Sequence, residues 1–220
     1  MPLIDSSWGR VELVPMDAHC LDISLALYRR DTEDGPVGLV HSYSSKPGAG
    51  DRVGFVAGAM VVLGGLEPAE DGTPLLRFGC GTWHGAAARR AFLEACKFDP
   101  AAPLAPPPLE TVDGAGGQTI RVERLGAGSY RVVAEEPERA SEVASGLAKL
   151  AELVPGDEPA VAWFSCGVDH DALVGLLLRR AINVRATLQE EEAKASRGLL
   201  VAPSAQAQGE VEVPPEWRQP

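Results

Sequence analysis

The chain has 220 residues, of which 45% are hydrophobic, 23% charged and only 5% aromatic, with a formal net charge of −11. That length can bury a sizeable core, which Ala, Val and Leu must fill in place of aromatics. The acidic balance argues against nucleic acid and anionic membrane as partners, because both demand a basic face, and leaves another protein, a basic one by charge complementarity, as the expected partner.

The first residues, Met1 to Asp5, have neither the basic start nor the apolar stretch of a signal peptide. The longest apolar run, 53–66, is too short and too glycine-rich to span a bilayer. A reducing, cytoplasmic location is therefore expected, with Cys20, Cys80, Cys96 and Cys166 as free thiols.

Residues 10–15, 21–29 and 37–44 alternate or run apolar in the manner of strands. The glycine-bearing stretch 44–51 breaks that pattern and predicts a plain turn, with Asp51 capping a helix over 52–66. It lacks phosphate-loop spacing, and Asp51 would repel an anion. Apolar residues lie almost all round this helix, which predicts burial on several sides. Gly54, Gly58, Gly64 and Gly65 predict a close backbone neighbour, either the equivalent helix or a second chain. A strand over 75–80 and a helix over 84–97 follow. Residues 99–117 are dominated by Pro, Ala and Gly, including Pro106, Pro107 and Pro108, and read as a linker.

Beyond the linker the same order returns: a hairpin over 119–124 and 129–135, a helix from 136 to about 153, a strand over 159–166 and a helix over 169–184. Residues 52–68 align without gaps on 139–155, pairing Val56 with Val143, Met60 with Leu147, Leu63 with Leu150 and Leu66 with Leu153. Those three- and four-residue steps are the buried stripe of a helix. The expected organisation is an α+β (or α/β) body of two duplicated strand–strand–helix–strand–helix units, related by a pseudo-twofold with the helices packed on a sheet. The units span 1–98 and 118–202, the linker lies between them, and an acidic tail covers 203–220. Glu190, Glu191 and Glu192 read as a solvated helix face, 199–202 as a last short strand and Trp217 as part of the tail.

The alignment also brings together two copies of one motif. Phe78, Cys80, Gly81 and His84 fall on Phe164, Cys166, Gly167 and His170. Cys80, His84, Cys166 and His170 are the candidate catalytic residues. Each thiol near a helix start would gain acidity from the helix dipole, and the same field would keep each imidazole neutral and basic. Phe-x-Cys is equally an ordinary core stripe, since free cysteine packs as a small hydrophobe. Two such pairs facing each other could supply four zinc ligands. The Cys-x-x-x-His spacing is not the familiar paired-cysteine zinc signature, so no metal or cofactor is assigned and zinc stays the lesser alternative. His19 and His41 stand alone, and neither a calcium loop nor a Gly-x-Ser-x-Gly elbow is present. The expected function is a non-enzymatic protein-binding module (inhibitor, adaptor or assembly partner) with self-association open to it. The alternative is an enzyme or small-ligand binder using the duplicated motif.

Overall fold

A computed structural model of the chain describes residues 3–6, 9–14, 19–20, 22–33, 35–69, 75–114 and 116–184. The expectations for 189–192, 199–202 and the tail with Trp217 lie outside the described residues, as do the side chains of His19 and Cys20.

The first half opens with β1 (Leu3–Ser6), β2 (Gly9–Val14) and the short β3 (His19–Cys20), then a long hairpin of β4 (Ile23–Thr32) and β5 (Gly35–Tyr43). Helix α1 (Gly50–Gly64), β6 (Leu66–Pro68), β7 (Leu75–Phe78) and α2 (Gly85–Ala95) complete it. The second half runs through β8 (Glu110–Val112), β9 (Thr119–Gly126), β10 (Ser129–Val133), α3 (Pro137–Ala151), β11 (Val154–Pro155), β12 (Val161–Trp163) and α4 (Asp171–Ile182). The class is mixed α+β, with helices packed against sheets.

Two antiparallel sheets form rather than one. The first has the order β1-β2-β4-β5-β7-β6, with β3 on β4, and the second β11-β12-β10-β9-β8. Every described ladder closes within its own half, so the halves meet through helices instead of shared strands. With β1 and β3 set aside, β6-β7-β5-β4-β2 and β11-β12-β10-β9-β8 follow the same order of connections. Strand β8 lies inside the Pro/Ala/Gly stretch and pairs with β9, so the end of that stretch is ladder. Just ahead of β8, a methyl at Gly175 would run into the carbonyl oxygens of Pro107 and Pro108, which fixes the stretch against α4.

The buried stripe of α1 is Val56, Ala59, Met60 and Leu63, and that of α3 is Val143, Ala144, Leu147 and Leu150. Both belong to one core that also takes Phe92 from α2 and Leu173, Leu177 and Leu178 from α4. The expectation that α1 is buried on several sides is corrected. Gly54 and Gly58 are exposed, and a Cβ at either would meet nothing within 4 Å. Gly64 does have a close neighbour, since a Cβ there would sit 2.9 Å from Ala91 Cβ of α2, and a closer backbone approach lies elsewhere: a Cβ at Gly146 of α3 would sit 2.6 Å from the Ala181 carbonyl oxygen of α4. Asp51 does not cap α1 either. Ala49 holds the N-cap position without a side-chain bond, and Asp51 sits in the first turn, where its charge faces the positive helix end.

The contacts between halves are reciprocal. Helix α1 ends at Gly65 (φ 68°), where a Cβ would meet Ala172 Cβ at the start of α4. Helix α3 ends at Glu152 (φ 58°), whose carboxylate accepts a bond of 3.3 Å from the Ala86 N–H at the start of α2. A left-handed non-glycine residue costs about 1 kcal/mol; at Glu152 that conformation aims the carboxylate at an otherwise unpaired helix-end N–H. Arg90 of α2 donates to the Leu150 carbonyl at 2.7 Å, and Arg180 of α4 pairs with Glu94 of α2 at 2.8 Å. These bonds, with the shared core, bring the β7–α2 junction of one half beside the β12–α4 junction of the other.

Candidate functional site

Both copies of the motif form the same turn. Strand β7 ends at Phe78, and the Gly81 N–H bonds back to the Phe78 carbonyl at 2.9 Å; in the second half Gly167 bonds to Phe164 at 3.0 Å. The cysteines therefore sit in the turn, past the strand, which corrects the sequence expectation that Phe and Cys share a strand face. Gly81 (φ 74°) and Gly167 (φ 69°) adopt the left-handed conformation that glycine takes at little cost. A Cβ at either would touch nothing within 4 Å, so backbone handedness, not space, selects glycine there.

His84 (φ −131°, ψ 61°) and His170 (φ −123°, ψ 57°) each hold the N-cap position of the following helix with nearly equal backbone angles. Neither caps its helix with its side chain. Each Nε2 instead points at the thiol four residues before it, 3.3 Å from Cys80 Sγ in the first half and 3.3 Å from Cys166 Sγ in the second. The reciprocal helix contacts bring the two pairs together. One donor atom from each of Cys80, His84, Cys166 and His170 fits a group in which all lie within 4.8 Å of one another. All four residues singled out from the sequence thus converge on one point, two from each half.

Aromatic rings form the inner wall. Phe78 lies edge-on to His84 and to His170, with ring centroids 5.2 and 5.5 Å apart. Phe164 does the same at 5.6 and 4.7 Å, and the two imidazoles are 5.0 Å from each other. Both phenylalanines and both histidines are buried, whereas the two cysteines are half-exposed. The cysteines therefore lie on the more exposed side of the cluster and the histidines on its buried side.

This placement sets the protonation states. Burial, reinforced by the facing His170, pushes His84 down to about 4. Burial also lowers His170, against the opposing pull of Asp169 and Asp171. Both rings are neutral at pH 7, the outcome expected from the sequence, but through desolvation instead of the helix dipole. Burial raises the Cys80 thiol, against the Thr82 amide, whose N–H lies 3.4 Å from the sulfur; the Cys166 thiol adds to the rise. The expectation of a helix-acidified thiol at Cys80 is thereby corrected, since the desolvation cost outweighs the partial charge of a helix end.

The second half carries supports with no sequence signal of their own. The Tyr130 hydroxyl of β10 accepts the His170 backbone N–H at 2.6 Å and donates to Asp171 Oδ1 at 3.0 Å. Asp169 accepts the Gly128 N–H at 2.8 Å, and Arg124 pairs with Asp171 at 3.1 Å. These bonds hold the loop carrying His170 against the β9–β10 turn. In the first half Trp83 does this by packing: a methyl at Gly38 of β5 or at Gly85 would overlap its indole ring.

Two clefts lie away from this cluster, along the 105–111 segment and the outer face of α4, and share Arg179, Pro108, Glu110 and Thr111 in their linings. Neither is lined by a cluster residue. His41, the other histidine with a described side chain, lies in β5 beside Tyr43, at 5.7 Å between rings. Among the described residues no helix is long and apolar enough to cross a membrane. Comparison with known proteins finds no matching family model, no matching curated protein and no matching solved structure.

Proposed function

We propose that the protein is a zinc-binding, non-enzymatic module. One Zn²⁺, held by Cys80, His84, Cys166 and His170, clasps its two halves, and the clasped body offers an acidic surface to a protein partner. The observation that carries the metal is the convergence of four donor atoms within 4.8 Å, two from each half. Tetrahedral Zn²⁺ with bonds of about 2.3 Å to sulfur and about 2.0 Å to nitrogen separates its ligand atoms by about 3.3–3.8 Å. The two Cys–His distances of 3.3 Å nearly meet that requirement already. Two soft thiolates with two imidazoles favour Zn²⁺ over oxygen-seeking Mg²⁺ or Ca²⁺. The neutral histidines need lose no proton to bind, and the metal displaces the protons of the thiols alone.

Four protein ligands leave no open position for a metal-bound water, which favours a structural role over a hydrolytic one. The net charge of −11 supports a basic protein surface as the partner. Free thiols at the ligand positions fit a reducing compartment such as the cytoplasm.

The alternative, a nucleophile–base pair at Cys80/His84 or Cys166/His170, is favoured by the same 3.3 Å distances and by the half-exposed sulfurs. A raised thiol beside an imidazole with a value of about 4 makes a neutral pair, poorly poised for attack. Native mass spectrometry of protein expressed in zinc-supplemented medium separates the two readings. A mass increment of one zinc per chain, abolished in Cys80→Ser/Cys166→Ser, supports the clasp. Metal-free protein whose Cys80 alkylates quickly and stoichiometrically would favour the nucleophile.

A further inference from the structure

We infer that Cys80 and Cys166 form a disulfide-forming modification site, oxidised by hydroperoxides, and that closing this bond ejects the metal. The metal-release part rests on the zinc reading above, whereas the covalent part rests only on the placement of the two thiols.

The two sulfurs belong to different halves yet fall within the same 4.8 Å cluster. That puts the two sulfurs no more than 4.8 Å apart, one from each half. Both are half-exposed, so a small peroxide reaches them, while their histidines are buried. A disulfide needs its sulfurs about 2.05 Å apart, so the pair must close further. Nothing in the sequence separation resists the bond, which would close a long loop between the halves and constrain the unfolded chain strongly.

The chemistry balances as follows. In the zinc-loaded protein, where the metal has displaced the thiol protons, one cysteine thiolate attacks the terminal oxygen of a hydroperoxide and breaks the O–O bond; the leaving alkoxide or hydroxide takes a proton from solvent. The resulting sulfenic acid is attacked by the second thiolate; the S–S bond forms and the hydroxide leaves as water with a proton taken from solvent. Each sulfur loses one electron, and the two peroxide oxygens gain the pair. A zinc ion then keeps only His84 and His170, too few ligands to hold it, and leaves unchanged in charge.

The test uses the full chain, zinc-loaded, in a Cys20→Ser/Cys96→Ser background so that no other thiol competes. It is treated with hydrogen peroxide in slight excess while zinc release is followed with a chromogenic chelator, and the product is mapped by non-reducing peptide mass spectrometry. The expected result is a Cys80–Cys166 linked peptide pair lighter by two hydrogens, about one zinc released per linked chain, and reversal of both by dithiothreitol. Sulfinic or sulfonic acid at either cysteine, or links only between chains, would overturn the proposal. A linked pair that retains its zinc would overturn the coupling. Protein that takes up no zinc but forms the linked pair would refute the clasp and leave the modification site standing.

Discussion

Acid should weaken the metal-free protein through His84, and the size of the effect follows from its burial. The folded value of about 4 lies below the ordinary 6.5, so the unfolded chain binds the proton that the folded chain refuses. His84 therefore contributes its full stabilisation above about pH 6.5, loses it as pH falls toward about 4, and adds no further slope below that. The full difference is about 3 kcal/mol, and about 2 kcal/mol of it is gone by pH 5. His170, lowered by burial and raised back by two aspartates, works in the same direction. Urea unfolding in EDTA at pH 7.5, 6 and 5 measures the loss directly, and His84→Gln isolates the residue because glutamine does not titrate. Wild type should lose about 2 kcal/mol more than the variant between pH 7.5 and 5. Equal losses would show that His84 is not buried and neutral in the folded protein, and would remove the basis for its role as a ready ligand.

Other consequences are open to simple tests. Zinc affinity, measured by competition with a chelator of known constant, should fall by up to about 100-fold per pH unit on acidification as two thiols regain protons; a dependence nearer tenfold would mean that only one sulfur binds. Gly58→Ala should stabilise the protein by about 0.5–1 kcal/mol, because the site is open and helical alanine outperforms glycine. Gly146→Ala should destabilise by about 1–3 kcal/mol, because its methyl meets the Ala181 backbone; thermal melts of the two variants must move in opposite directions. Tyr130→Phe leaves the buried His170 N–H without its partner and should cost about 1–3 kcal/mol, with weaker zinc binding in the same competition assay; unchanged stability and affinity would show that Tyr130 does not position His170.

Much of this arrangement was legible from the chain, because periodicity and pairing act over short distances. The stripe pairing Val56 with Val143 and Leu63 with Leu150 marked both helix faces, and both are buried. The repeated Cys-Gly-x-x-His identified the cluster residues, since a turn with a left-handed glycine and a helix-starting histidine is encoded in a few adjacent positions. What could not be read was how the halves face one another. Of the α1 glycines that suggested a close neighbour, Gly64 is buried against Ala91 of α2 while Gly54 and Gly58 lie exposed, and Gly146 and Gly175, on helices that gave no such signal, make the tight backbone contacts. The composition of 99–117 hid β8, because a three-residue edge strand is fixed by its partner β9 more than by its own residues. Tyr130 and Glu152 act on residues forty and sixty-six positions away, separations at which sequence alone gives no pairing.

X-ray absorption at the zinc K-edge of the purified full-length protein tests the central claim most directly. The clasp predicts a four-coordinate shell of two sulfurs at about 2.3 Å and two imidazole nitrogens at about 2.0 Å, and no bound zinc in Cys80→Ser/Cys166→Ser. A shell of four sulfurs, or one dominated by oxygen in the unmutated protein, would contradict it.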